Sequence, residues 1–413
     1  MKVAFIVWEF PSLSETFILN QIVGLIERGH EVDIFACNGS SVNFSKCHPD
    51  VEKYQLLNRT YYPPKRSSSR WSRFLKGVEL LVTNYSKNPL SLTNSLNVFK
   101  YGKKAASLQL LYLSIPLLAN KESYDIIHCQ FGTTGLIGMS LRDTGILKGK
   151  LVTSFRGSDI SKYVQKFGDK VYNQLFSKGD FFLTNCEYFK HRLVKLGCQE
   201  NKICVLRSGI DCSQFIFTLH APPPDGRIRV VTTGRLVEKK GIEYSIRAVA
   251  KLKTIHPNIE YQIIGDGPLR QDLEQLIQEL DVGNTVTILG WKQQQELIEI
   301  LNNSHILIAT SVSSSDGDQD APVNVLKEAM AIGLPVIGTQ HGGIPELITD
   351  GVSGFLVPER DVDTLAEKLS YLIEHPEIWA AMGRAGRQCV EQEYNNTKLN
   401  GRLVEVYEHL LAV

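Results

Sequence analysis

The densest run of chemistry-bearing residues is Asp316-Gly317-Asp318-Gln319-Asp320-Ala321-Pro322-Val323-Asn324-Val325-Leu326-Lys327-Glu328. Asp320 falls in a loop, and Glu328, eight residues later, falls about two turns into the helix that follows. One carboxylate then stands near a helix mouth and the other along its side, both reaching toward one cleft. Carboxylates accept paired hydrogen bonds from sugar hydroxyls, and the N–H groups of Ala321 and Val323, though not Pro322, can hold phosphate. Standing alone, the segment reads as a cap at Asp320 and a surface face at Glu328.

Other segments offer the same kind of chemistry. Thr233-Gly234-Arg235-Leu236-Val237-Glu238-Lys239-Lys240-Gly241 follows an apolar run and opens a helix. Two cations across a short loop, Arg235 and Lys240, can close on a diphosphate and stabilise the charge that builds as it leaves. Gly265-Asp266-Gly267-Pro268 reads as a tight turn whose glycines serve the backbone. In the first half, Arg156-Gly157-Ser158-Asp159 places a guanidinium beside glycine, suited to phosphate or to an ion pair with Asp159. His128-Cys129-Gln130-Phe131-Gly132 sets a histidine at a strand end, either an acid–base group or a hydrogen-bonded structural one. Pro11-Ser12-Leu13-Ser14-Glu15-Thr16-Phe17 lacks the glycines of a dinucleotide fingerprint and speaks against NAD or FAD. Ser12 and Glu15 have capping-box spacing, with a ligand role for Glu15 as the second reading.

These segments all follow strand-like apolar runs, which alternate with helical patterns in two series. The first series holds Val3 to Trp8, Val32 to Ala36, Ile126 to Cys129, Leu151 to Phe155, Phe181 to Thr184 and Ile203 to Leu206. The second holds Arg229 to Thr233, Tyr261 to Ile264, Val286 to Leu289, Ile306 to Thr310, Val336 to Gly338 and Gly354 to Val357. Such alternation predicts an α/β chain with parallel sheets covered by helices, in which ligands bind beyond the carboxyl ends of the strands. The expected organisation is a domain over 1–210 with a helical insertion at about 40–120, a breaker-rich linker over 211–226 and a second domain over 227–395. A last helix over 396–413 is free to pack back on the first domain. Within the insertion, Lys65, Arg66, Arg70, Arg73 and Lys76 interleave with Trp71, Phe74 and Leu75. Two readings stand: a basic amphipathic helix on a membrane, or a surface helix packing Phe74 and Val78 inward.

A length of 413 residues calls for more than one core, and 43% hydrophobic with 22% charged residues is globular composition. No run reaches the roughly 20 apolar residues of a spanning helix, and the apolar start lacks a signal-peptide cleavage site. Eight cysteines without metal-ligand spacing read as reduced thiols in a cytoplasmic protein. Up to Phe215 the chain carries 28 Lys and Arg against 17 Asp and Glu, a balance of +11, while the remainder carries 17 against 27, or −10. A basic half suits phosphate groups or an anionic membrane surface, or is a solvated face.

Taken together, the motifs resemble the GT-B-fold retaining glycosyltransferases of family 4, the "glycosyl transferases group 1". Gly234-Arg235 with Lys240-Gly241 is similar to the family's diphosphate clamp, Asp320 and Glu328 to its E-x7-E pair, and Gly342-Gly343-Ile344-Pro345-Glu346 with Asp350-Gly351-Val352-Ser353-Gly354 to its C-terminal motif. Through Phe10-Pro11-Ser12-Leu13-Ser14-Glu15-Thr16-Phe17 and His128-Cys129-Gln130-Phe131-Gly132, the N-terminal half resembles a subgroup of bacterial exopolysaccharide enzymes. The resemblance implies two Rossmann-like domains facing across a cleft and retaining transfer of a hexose from a nucleotide diphosphate sugar to a glycan or lipid-linked glycan. No cofactor beyond the donor and no nucleic acid are expected; the side-chain cations make a metal unnecessary, and the basic N-terminal half offers peripheral contact with the inner face of a membrane.

By that resemblance Arg156, Asp320 and His128 are catalytic. Gly234, Arg235, Lys240, Gly265, Asp266, Ala321, Pro322, Val323 and Glu328 bind donor, and Ser14, Glu15, Gln130 and Asp159 line the acceptor side. Two departures stand out: Arg156 replaces the usual His of His-Gly-x-Asp, and Asp320 replaces the first Glu. An arginine cannot act as base, but it can stabilise a leaving phosphate that itself takes the acceptor's proton. The alternatives are a silent nucleotide-sugar-binding partner and a nucleotide-sugar epimerase.

Overall fold

A computed structural model describes residues 1–12, 15–39, 48–119 and 123–412. Among them the apolar runs form two parallel sheets, because runs apolar on both faces are stable only when helices cover both sides. The first holds β1 (Lys2–Val7), β2 (Glu31–Ala36), β3 (Thr60–Tyr61), β4 (Ile126–Gln130), β5 (Lys150–Phe155), β6 (Phe181–Thr184) and β7 (Ile203–Val205), in the order β3-β2-β1-β4-β5-β6-β7. The second holds β8 (Ile228–Thr233), β9 (Ile259–Ile264), β10 (Val286–Gly290), β11 (Ile306–Ala309), β12 (Val336–Thr339) and β13 (Phe355–Val357), in the order β10-β9-β8-β11-β12-β13. Every pairing is parallel. The edge strand β3 has no counterpart in the sequence reading; two residues are too few to show a period.

Both sheets reverse direction of build-up beside their first strand, between β1 and β4 and between β8 and β11. Loops leaving those strands diverge and open a crevice at the carboxyl edge. That topology brings 8–12, 131–132, 234–241 and 310–323 to the ligand-binding edge of their sheets.

The linker and the chain's return are zipped together: Ile210 N–H donates to the Tyr394 carbonyl (2.8 Å) and Asn396 N–H to the Ile210 carbonyl (3.0 Å). A Cβ on Gly209 would come 2.5 Å from the Tyr394 oxygen, so glycine is what allows the approach. Helix Asn396–Ala412 then packs on the first sheet's side, burying Leu399, Leu403 and Tyr407 with Ile18, Leu19 and Ile22.

In the insertion, helix Arg70–Asn84 turns Gly77, Leu80 and Asn84 inward. Phe74 and Val78 are exposed, which corrects the reading that packs them into the core. Gly77 stands so close to Leu108 that its face, not the bulkier one, fits the protein.

Candidate active site at the interdomain cleft

On the C-terminal side the site rests on glycines that let three loops touch. A Cβ on Gly265 would lie 1.9 Å from the Gly234 carbonyl oxygen, and one on Gly267 would lie 2.5 Å from that of Leu236. The β8 and β9 loops therefore stack backbone to backbone, with Leu236 N–H on the Asp266 carbonyl (3.0 Å). Asp266 itself accepts from Gly267 N–H (2.8 Å), closing the turn. Gly241, at φ +56°, would place a Cβ 2.0 Å from the Thr310 oxygen, which ties the end of the lysine loop to β11.

This packing delivers a cation cluster. Lys240 Nζ lies 2.7 Å from Asp320 Oδ2, and Lys239 Nζ lies 3.2 Å from Oδ1 and 3.0 Å from Asp318 Oδ2. Ser311 Oγ donates to the same Asp320 carboxylate at 3.0 Å. Burial works against ionisation of Asp320, but Lys240 and Lys239 outweigh it and hold the carboxyl well below its usual range. Arg235 is exposed and has no side-chain partner among the described residues. Lys239 was not singled out in the sequence, since nothing there distinguishes it from its neighbours.

Asp320 is also fixed through its backbone. Its N–H donates to His341 Nε2 (2.9 Å), and His341 Nδ1 meets Glu359 Oε1 at 2.6 Å, so the proton sits on Nδ1. Gly342 and Gly343 follow that histidine because their Cβ atoms would strike the Asp320 oxygen (2.0 Å) and Pro322 Cδ (2.4 Å). Helix Asn324–Ile332 begins after Val323, which makes no side-chain cap, and its first turn of N–H groups is free to meet an anion. Pro322 and Val323 are buried beneath that mouth, and Ala321 packs against the core of the first sheet.

Glu328 lies in the second turn of this helix, on the wall of a cavity of about 450 Å3 that also takes in Asn20, Gln294, Leu297 and Asn324. Burial pushes its carboxyl up to about 7, against the pull of Lys327. The two carboxylates thus differ in state: Asp320 is a tightly paired anion, and Glu328 titrates near neutrality.

From the other domain, Arg156 is nine-tenths buried. Its Nε and Nη2 donate to Gln130 Oε1 (3.0 and 2.8 Å), Nη2 to Gln21 Oε1 (3.1 Å) and Nη1 to Ser208 Oγ (3.0 Å). The guanidinium carbon stands 4.3 Å above the centre of the Phe17 ring. No carboxylate pairs with the guanidinium among the described residues, and burial lowers it to about 10, so it stays charged at neutral pH. The ion pair with Asp159 does not form. Asp159 instead accepts the backbone N–H groups of Gly132 (2.7 Å), Arg156 (3.1 Å) and Gly157 (2.9 Å), pinning the β4 and β5 loops together.

Several N-terminal assignments change with this geometry. His128 sits in the middle of β4, fully buried, with Nε2 on Ser154 Oγ (2.7 Å) and Nδ1 on Tyr407 hydroxyl (2.6 Å). Burial, then Arg156, drives it down to about 3, so it is neutral and does not reach the cleft. Gln130 is likewise buried, its amide spent on Arg156 and Gln21. Glu15 does not form the expected capping box: helix Thr16–Ile26 starts after it without a side-chain cap. Its carboxyl is raised to about 7 by burial, partly offset by Arg156. Ser14 lies outside the described residues.

The domains meet through specific contacts. Glu346 accepts the N–H groups of Glu187 and Tyr188 (both 2.9 Å), capping helix Glu187–Lys195 from across the interface. Gln319 Oε1 receives Arg192 Nη1 (2.8 Å) and Tyr188 hydroxyl (3.1 Å), and Lys162 pairs with Asp316 at 2.5 Å.

Comparison with known proteins agrees with this layout. Residues 220–389 match the family described as "Glycosyl transferases group 1", and residues 93–214 match "Glycosyltransferase Family 4". The chain is 34% identical to the amylovoran biosynthesis glycosyltransferase AmsK of Erwinia amylovora, over 99% of this chain and 100% of that one. It is 33% identical to WcaL of Salmonella typhimurium, a glycosyltransferase named for colanic acid biosynthesis, with the same coverage. Among solved structures it superposes on sucrose-phosphate synthase of Thermosynechococcus elongatus with a TM-score of 0.74 at 19% identity, covering 100% and 99% of the two chains. Anabaena HepE in complex with UDP-glucose superposes at 0.71 and 17% identity, covering 99% and 100%.

Proposed function

Because the chain belongs to the family 4 glycosyltransferases, we propose that it transfers a hexose, with retention, from a nucleotide diphosphate sugar to a hydroxyl of a glycan or lipid-linked glycan, using no metal ion. The observation that carries the reading is the cation cluster: Arg235, exposed and without a side-chain partner among the described residues, on the same loop as Lys239 and Lys240, which both pair with Asp320. Three positive charges beside an uncapped helix N-terminus suit a diphosphate and supply the charge stabilisation that a metal gives elsewhere.

In this reading Arg235 and Lys240 grip the diphosphate, the stacked Gly234 and Gly265–Asp266 turns let it approach the backbone, and Ala321 to Val323 present the helix mouth. Glu328 accepts the ribose hydroxyls within the polar cavity. Asp320 accepts hydroxyls of the hexose once Lys240 turns to the phosphate. Arg156 faces the reacting centre from the other domain, and Glu15 lines the acceptor side. The acceptor oxygen attacks the anomeric carbon from the face the nucleotide leaves, the anomeric C–O bond breaks, and the acceptor's proton passes to the departing phosphate oxygen. Gln130, Asp159 and His128 hold Arg156 and its loop in place. The names of AmsK and WcaL support a place in exopolysaccharide or cell-surface polysaccharide assembly, in the cytoplasm at the membrane's inner face. No helix among the described residues is long and apolar enough to cross a membrane.

The test is nucleotide release from UDP-, GDP- and ADP-sugars, with and without a lipid extract of the host. Release from one donor that rises with the extract establishes transfer. Donor binding without release under any acceptor, with release restored by Arg156→His, means a silent binding partner. A changed sugar without acceptor means an epimerase.

A further inference from the structure

Helix Arg70–Asn84 has two apolar faces, and the protein core uses one. The other carries Trp71 (79% exposed), Leu75 (66%) and Val82 (70%), with Phe74 and Val78 between them. Spacings of three, four, seven and eleven from Trp71 set all five on one stripe. Single exposed apolar residues are ordinary on a surface; a contiguous stripe led by tryptophan and phenylalanine is not.

Charge identifies what covers it. Residues 63–107 hold nine Lys and Arg and one acidic residue, Glu79, which is itself paired with Lys76 at 2.5 Å. Lys65, Arg66 and Arg70 are exposed at the stripe's N-terminal end. A second copy seated on the same face would bring cation against cation. A membrane of anionic phospholipid meets both demands, with phosphates for the cations and a headgroup–acyl boundary for the rings.

We propose that the outward face of helix Arg70–Asn84 docks the protein on an anionic phospholipid bilayer. Trp71, Phe74 and Leu75 enter the interface, while the flanking lysines and arginines lie along the phosphate layer with their stems on the apolar surface. The docking needs neither donor nor turnover, so it stands or falls separately from the transferase reading.

The full chain is sedimented with vesicles of phosphatidylcholine alone and of phosphatidylcholine with phosphatidylglycerol. Partition onto the anionic vesicles is expected to be at least about tenfold stronger, and to fall at high salt. Trp71→Ser, Phe74→Ser and Leu75→Ser together should lower it about tenfold and leave the melting temperature unchanged. Lys65→Gln with Arg70→Gln should remove most of the preference for phosphatidylglycerol. Equal partition onto the two vesicle types overturns the proposal, as does a triple serine variant that binds like the parent. A dimer in sedimentation velocity that the serine variant dissolves, with vesicles left unbound, assigns the face to a second copy instead.

Discussion

Lys240 places its ammonium 2.7 Å from Asp320 while Lys239 holds the other oxygen of the same carboxylate, so one anion on the cleft wall keeps two lysines in readiness. An incoming diphosphate competes with Asp320 for cations that are already oriented, which lowers the entropy lost on binding.

Lys240→Ala should therefore weaken binding of a nucleoside diphosphate by about tenfold or more in calorimetry, while the fold survives because Lys239 still neutralises Asp320. The pH behaviour follows from the depressed Asp320 carboxyl. Its contribution is fully present above the unfolded value of 3.8 and is lost as pH falls through the lower folded one. Melting temperature should drop on acidification below about pH 4, and the drop should be smaller in the Lys239→Ala, Lys240→Ala double variant.

Glu328 has the opposite sign. With its carboxyl raised from 4.5 to about 7, the folded state holds more protons than the unfolded one across that window, and stability declines as pH rises through it. Glu328→Gln should stabilise the ligand-free protein at pH 8 by on the order of 1 kcal/mol and flatten the decline between pH 5 and pH 7. The same variant should weaken nucleotide binding more than about tenfold. A loss of stability at pH 8 would show that the carboxylate is structural.

Arg156 holds the oxygens of Gln21, Gln130 and Ser208 with one guanidinium, so its removal strands the buried Gln130 Oε1. Arg156→Ala should cost about 2 kcal/mol in urea unfolding. Arg156→Lys, which keeps the charge but not the fork, should lower kcat about tenfold or more while donor affinity, set by the other domain, stays within about twofold. Equal losses in kcat and donor affinity would move Arg156 into donor binding.

Glu346 caps helix Glu187–Lys195 across the domain interface with two 2.9 Å bonds. Glu346→Ala should lose about 1 kcal/mol of that closure, read as a larger radius of gyration in solution scattering without donor and a raised KM for it. An unchanged radius would show that Gln319 and Lys162 hold the domains together without it.

Much of this protein was legible in its sequence for a simple reason: burial on both faces forces a strand to be apolar throughout, and backbone contact forces glycine. The strands of both sheets other than β3, and the glycine turns at Gly234 and Gly265, are local demands that residue type alone can express. Asp320 and Glu328 were visible as a pair because a helix fixes what eight residues of spacing mean. What only the tertiary structure decided is which partner each group meets. His128 carries the residue type of a catalyst, yet Tyr407, 279 positions away, closes one side of its ring and Ser154 the other. Lys240 and Asp320 are 80 positions apart, and Glu346 meets a helix 158 positions upstream. Such contacts have no period and no motif; they arise when two sheets, each reversed at its first strand, bring their loop ends together. Side-chain identity set what chemistry was available, and the packing of backbone at the sheet edges determined which side chains remain free to perform it.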